Sequence, residues 1–271
     1  MYIYMQLLSG IDVIYWINLD RAKGRKQYME KLFKNSIFDN IKKVRVKALD
    51  AKKENPRNKF IIEQDMNLLN DNKNRSDAEY ACLYSHLKAI KEFSKIDYDV
   101  ALICEDDLSI EYKKYWTKTI QEVMENAPKQ WEILKICSFF QFKDTYTFWE
   151  SFLRTNENIF EKKQKWLEHM PSVKGDWGAV SYLIKNSAAK KLMRIMAEPH
   201  DKYKLNNTLM HVSDAYLFQM LKTFIYKYPF FTFLTSKLSY IQNKTVTKSN
   251  ITLKNKITKM YKTRRSGRIK K

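Results

Sequence analysis

Short apolar runs alternate with amphipathic stretches along most of the chain, the pattern of strands and helices layered around a sheet. Residues 13–17, VIYWI, are continuously apolar, as a strand buried on both faces requires. A polar stretch follows, and Tyr28, Met29, Leu32 and Phe33 then recur at helical spacing. Val44, Val46 and Ala48 alternate with basic residues and predict a second strand. A helix is predicted over 77–94, opened by Ser76-Asp77-Ala78-Glu79. In that S-x-x-E form each end's side chain satisfies a free backbone donor of the other. Residues 98–104 and 131–137 predict two more strands, the first running into Glu105-Asp106-Asp107. A strand over 177–184 leads into a helix over 188–196 capped by Asn186 or Ser187, and another helix opens at Ser213 or Asp214. Residues 226–234 are apolar and β-prone, and no internal repeat is present. The expected fold class is α/β: one domain over residues 1–251, then a basic, flexible tail over 252–271.

Composition narrows the classes further. In 271 residues, 44% hydrophobic and 14% aromatic, there is material for a sizeable core, which excludes wholesale disorder. Five glycines and five prolines are too few for a linker-rich or many-turned all-β chain. The net charge of +20 is uneven: residues 237–271 hold 12 basic and no acidic residues, leaving 38 basic against 30 acidic elsewhere. A uniformly basic nucleic-acid-binding surface is therefore not indicated. Cys82, Cys104 and Cys137 are too few and odd in number for a disulfide framework; each lies in an apolar stretch and is read as a buried thiol in a reducing compartment. The first twenty residues lack a positive flank and are interrupted by Asp12, so they fit neither a signal peptide nor a membrane span. A cytoplasmic location is expected.

The acidic triplet within ALICEDDLSI is the most informative feature. Three adjacent carboxylates repel one another unless a cation sits among them. Ligands of open α/β sheets bind beyond the carboxyl ends of strands, where this triplet falls. If extended backbone continues through the triplet, Glu105 and Asp107 point to one face and Asp106 to the other. Oxygen-only ligands suit a hard divalent ion, Mn²⁺ or Mg²⁺, held together with substrate phosphates. A solvated turn before a helix would also accommodate acids.

The neighbouring segments resemble glycosyltransferase family 25, which contains lipopolysaccharide glycosyltransferases and collagen hydroxylysine galactosyltransferases. Tyr15-Trp16-Ile17-Asn18-Leu19-Asp20-Arg21, with Arg25, resembles the family's opening strand and I-N-L-x-R-x-x-x-R turn. Ala48-Leu49-Asp50 stands where the family has A-x-D, and residues 79–87, EYACLYSHL, resemble G-x-x-G-C-x-x-S-H. Residues 101–107 match L-x-x-E-D-D, residues 177–184 resemble G-T-x-x-Y-L-I, and Val212-Ser213-Asp214 resembles P-x-D. Tyr80 and Ala81 replace glycine-like positions, and Ser249-Asn250-Ile251 stands where S-D-I is usual.

That resemblance implies a GT-A-like, nucleotide-sugar-binding sheet flanked by helices. It implies inverting transfer of a hexose, galactose or glucose, from a UDP-sugar to a protein hydroxyl, such as a collagen-like hydroxylysine, or to a glycan. Glu105 and Asp107 are then the metal ligands. Arg21 and Arg25 suit the diphosphate, although charges of a solvated first helix would look the same. Asn18, Asp20, Ala48 and Asp50 border the nucleotide, with Ser85, His86 and Asp106 also on the donor side. Gly178 allows close backbone approach or marks a bulge. Asp214 is the candidate base for the acceptor hydroxyl, with His211 as runner-up; a helix cap shared with Ser213 is the plainer role for Asp214. From composition alone, not from the resemblance, aromatic residues between 139 and 166, Trp166 among them, are the expected acceptor wall. The alternative function is a polyanion- or nucleic-acid-binding protein, acting through its basic tail on an inactive scaffold.

Overall fold

A computed structural model of the chain describes residues 6–62, 72, 74–137, 166–168, 178–206, 208–234, 254–259 and 261–262. The strands, in chain order, are β1 (Val13–Asn18), β2 (Lys42–Lys47), β3 (Phe60–Ile62), β4 (Val100–Glu105), β5 (Leu108–Ser109), β6 (Ile133–Lys135), β7 (Trp166–Glu168), β8 (Ser181–Lys185), β9 (Ala197–Glu198), β10 (Lys202–Leu205), β11 (Thr223–Tyr226) and β12 (Thr232–Phe233). The α-helices used below are α1 (Lys23–Leu32), α2 (Asp77–Ser94), α3 (Ile120–Glu125), α4 (Asn186–Met196) and α5 (Ser213–Met220).

Among the described residues a seven-stranded sheet has the order β2-β1-β4-β8-β6-β11-β7. β1 runs parallel to β2 and β4, and β6 runs parallel to β11, while β8 and β7 oppose their neighbours. Five strands thus share one direction, in a mixed α/β architecture compatible with a Rossmann-like or GT-A-like fold.

The apolar run of β1 is divided between two cores. Val13, Tyr15 and Ile17 join the cluster that includes α2, α4 and α5 residues, whereas Ile14 and Trp16 join the cluster with Met29 of α1 and Val123 of α3. β4 splits likewise, Ala101 and Ile103 to one side, Leu102 and Cys104 to the other. Side chains alternate across a strand, so a strand covered on both faces is apolar at every position. Each such Leu or Ile stabilises the fold by about 1.5–3 kcal/mol.

The expected capping box of α2 forms: Ser76 Oγ accepts from Glu79 N–H at 3.3 Å, and Glu79 Oε2 accepts from Ser76 N–H at 2.8 Å. The cap expected for α4 does not. Its N-cap is Lys185, without a side-chain cap bond, and Asn186 instead donates to the carbonyls of Phe93 and Ile96 at 2.9 and 3.1 Å. A buried amide is held by the acceptors at the end of α2, a long-range demand that local capping rules do not see.

Residues 254–259 and 261–262, inside the segment read as a flexible tail, are helical. Tyr261 is buried, stacks on Tyr115 with centroids 5.3 Å apart, and donates to the Pro229 carbonyl at 2.6 Å. Ile257 is also buried, and Lys254 pairs with Glu111 at 2.7 Å. The charge count obscured this short apolar face. No helix among the described residues is long and apolar enough to cross a membrane.

His211, before α5, is buried. Its Nε2–H faces the Asn206 carbonyl at 3.1 Å, so Nδ1 is left to accept from the Tyr80 hydroxyl at 3.1 Å. Both nitrogens serve packing, which removes His211 from consideration as the base. Burial holds its pKa below the ordinary value against the pull of the Asn206 carbonyl, with Arg57 and Arg75 adding to the depression.

Two stability predictions follow from these contacts. Ser76→Ala should cost about 1 kcal/mol through loss of the cap, read as a lower denaturant midpoint at unchanged slope. The unfolded chain takes up a proton near pH 6.5 that buried His211 resists, so this residue's contribution is complete above that pH and is lost as pH falls. Melting temperatures between about pH 7.5 and 5 should fall more steeply for the wild type than for His211→Gln; equal slopes would disprove the assignment.

Candidate active site

The carboxyl ends of β1, β2 and β4 lie along one sheet edge, and the antiparallel β8 begins there. Cys104 faces Ser181 in the ladder, and Glu105 N–H donates to the Val180 carbonyl at 2.9 Å. The acidic triplet is thereby placed beside the residues that lead into β8, Val180 among them. β6 opposes β8 with Lys135 across from Tyr182, so its last residue reaches the same edge.

One polar network joins β1, β2, α1 and the turn after β4. Asn18 Nδ2 donates to Asp106 Oδ2 at 2.7 Å, and Arg25 Nη1 donates to Asp106 Oδ1 at 2.7 Å. Arg25 also lies 3.5 Å from Asp107 Oδ2. On the other side of Asn18, Arg45 donates twice to its Oδ1, at 3.0 and 2.8 Å, and once to Asp20 Oδ1 at 2.8 Å. Hydrogen bonds from Lys47 and Arg45 hold the exposed Asp20 carboxyl down at about 2. Arg21 Nε donates to Asp50 Oδ2 at 2.9 Å. Ala48 N–H donates to the Asn18 carbonyl at 3.0 Å, and Leu49 N–H to Ser85 Oγ at 3.0 Å. The loop after β2 is thus tied to both β1 and α2.

The carboxylates of the turn are unequal. Burial raises the pKa of Asp106 against the opposing Arg25 charge. Burial, then the adjacent Glu105 charge, pushes Asp107 up to about 7, again against Arg25. Asp107 Oδ1 is buried with no hydrogen-bond partner among the described residues. An orphaned carboxylate oxygen costs free energy unless a proton or cation meets it. The donor set and this oxygen therefore fit a hard divalent ion.

A second group gathers where α2 and α5 meet β4 and β8. His86, fully buried, places Nε2 3.4 Å from Glu105 Oε1 and Nδ1 3.1 Å from the Tyr182 hydroxyl. Cys82, one turn earlier on the same helix, has Sγ 3.4 Å from Ser213 Oγ. Asp214 does not cap α5 with Ser213, because its Oδ2 accepts the Gly178 N–H at 2.8 Å. Gly178 has φ of 100°, a conformation favouring glycine. Burial raises the Asp214 pKa, opposed by the Gly178 N–H and by the charge of Lys135.

The expected site residues fall into these two groups. Asn18, Asp20, Arg21, Arg25, Ala48, Asp50, Ser85, Asp106 and Asp107 belong to the first; His86, Glu105, Gly178 and Asp214 belong to the second. Both Asp106 oxygens are already engaged by Asn18 and Arg25. Trp166, expected in an acceptor wall, is instead a core residue: it packs on Tyr226 at 4.9 Å and donates to the Asn126 carbonyl at 2.9 Å. The remaining aromatics of that wall, Trp177 and Ser249-Asn250-Ile251 lie outside the described residues.

Three contributors escaped the sequence reading. Arg45 shows only as one basic residue of an alternating strand. Cys82 passes for a core thiol. Lys135, 2% exposed, has Nζ 4.5 Å from the Phe218 ring centroid; its one visible signal is a lysine inside the apolar run ILKIC.

Comparison with curated proteins found no match. The family model described as glycosyltransferase family 25 (LPS biosynthesis protein) matches residues 11–204. That span includes β1, the acidic triplet and every residue of the two networks except those carried by α5. The chain belongs to glycosyltransferase family 25, and its activity is that of a glycosyltransferase.

Proposed function

We propose that the chain transfers a hexose from a UDP-sugar to a hydroxyl of a protein or glycan acceptor, with inversion and with Mn²⁺ or Mg²⁺ bound at Glu105 and Asp107. The observation that carries this reading is the buried Asp107 oxygen, without a hydrogen-bond partner among the described residues, in a carboxylate cluster at the sheet edge, where α/β folds bind nucleotides. When bound, the ion supplies Lewis acidity that neutralises the departing diphosphate.

The chain's own residues have separable tasks. Asn18, Asp20, Ala48 and Asp50 border the nucleotide, on loops tied together by Arg45 and Ser85. Arg21 is the better phosphate contact, because its pairing with Asp50 is partly exposed and exchangeable, whereas Arg25 is engaged with Asp106 and Asp107. Asp214 receives the acceptor proton; burial raises its proton affinity, which suits a general base. The Gly178 N–H fixes the carboxylate's orientation. In the basic C-terminal segment, Lys254 pairs with Glu111 and Tyr261 is packed inward.

The test is thermal shift with UDP, UDP-glucose, UDP-galactose and GDP-mannose, each with Mn²⁺ and with EDTA. A UDP compound at one hundred times its Kd should stabilise the fold by about 2.7 kcal/mol, only with metal, and Asp107→Asn should lose that shift. Asp214→Asn should keep the shift while turnover falls by about 10²–10⁴-fold. Full transfer activity in EDTA would overturn the metal assignment, and GDP-mannose shifting the melt instead of UDP compounds would overturn the donor.

A further inference from the structure

We propose that Cys82, His86 and Glu105 form a binding site for a borderline divalent cation of the Zn²⁺ class, different in donor chemistry from the all-oxygen set at Asp107. Sγ of Cys82, a ring nitrogen of His86 and a carboxylate oxygen of Glu105 all lie within 4.8 Å of one another. The site goes beyond sugar transfer, and Glu105 is the one residue it shares with the metal of the UDP-sugar reading.

The backbone makes this convergence. Cys82 and His86 are four residues apart on α2, so both side chains project from one helix face. Glu105 ends β4 opposite that face. In a tetrahedral site with metal–ligand bonds of about 2.0–2.3 Å, neighbouring ligand atoms lie roughly 3.3–3.8 Å apart. The His86–Glu105 edge, at 3.4 Å, already has that spacing. It is also long for a charge-assisted hydrogen bond, which falls at about 2.7–2.9 Å. The widest edge needs about 1 Å of closure to reach the tetrahedral spacing, within reach of a side-chain rotation.

The surroundings are those of a supported ligand set. The Tyr182 hydroxyl meets Nδ1 at 3.1 Å and its ring stacks on the imidazole. That contact orients the ring and leaves Nε2 toward Glu105, as outer partners of metal-bound histidines do. Ser213 Oγ lies 3.4 Å from Sγ. Sulfur and imidazole donors select against Mg²⁺ and in favour of Zn²⁺-class ions. Three protein ligands leave a fourth position open, the arrangement of catalytic rather than purely structural zinc. On binding, the Cys82 S–H bond breaks, a sulfur–metal bond forms and the proton passes to the buffer.

The metal-stripped full chain, titrated with Co²⁺, should develop a thiolate-to-cobalt charge-transfer band that Zn²⁺ abolishes by competition. Cys82→Ser should lose the band and weaken Zn²⁺ binding by more than about 100-fold, and Tyr182→Phe should weaken it by about 10–100-fold. Asp107→Asn should retain the band while losing the metal-dependent UDP shift, which separates this site from the donor site. In the wild type, Zn²⁺ should protect Cys82 from alkylation, so the outcome does not hang on a variant that fails to fold. Cobalt bound without a thiolate band, no cobalt binding by a cooperatively melting chain, or unprotected Cys82 would each overturn the proposal.

Discussion

Asp106 is gripped from two sides, by the Asn18 amide and the Arg25 guanidinium, each at 2.7 Å, and the site is built outward from that grip. Three consecutive carboxylates at the end of a buried strand are costly, since a buried charge without its partner destabilises by about 3–5 kcal/mol. The clamp neutralises the middle one and fixes the direction of the turn. Glu105 is consequently left beside α2, and Asp107 is left buried next to Arg25. Arg45 extends the same network to Asp20, so β1, β2 and β4 present their ends as one surface.

Helix α2 is the second organiser. Along one stretch it anchors the loop after β2 through Ser85, meets β4 and β8 through His86, and meets α5 through Cys82. Its capping box sets where the helix begins, and the helical period puts Cys82 and His86 on one face. A transferase needs its donor pocket and its proton acceptor held in a constant relation. A single rigid helix touching the β2 loop, the acidic triplet and the start of α5 provides such a frame.

Much of the fold was legible from pattern, because strands covered on both faces must be apolar throughout and helices must show one apolar face. The α2 capping box was legible for the same kind of local reason. Asn186 was misread because its amide answers to carbonyls at 93 and 96, far away in sequence. Trp166 was misread because aromatic composition does not distinguish a sugar platform from an edge strand packed on Tyr226. The basic C-terminal segment carries Ile257 and Tyr261 at positions whose burial is decided by partners such as Tyr115.

What the sequence determined alone was the alternation of strands and helices, the placement of Glu105-Asp106-Asp107 at a strand end, and the run of family segments. These are properties of local periodicity and of residue order. The tertiary structure decided which groups meet: Arg25 with Asp106, Asp214 with Gly178, Lys135 with Phe218, and Cys82 and His86 with Glu105. Such pairings depend on strand order and helix rotation. Both are set by packing energies summed over the whole chain, and no local stretch of sequence contains them.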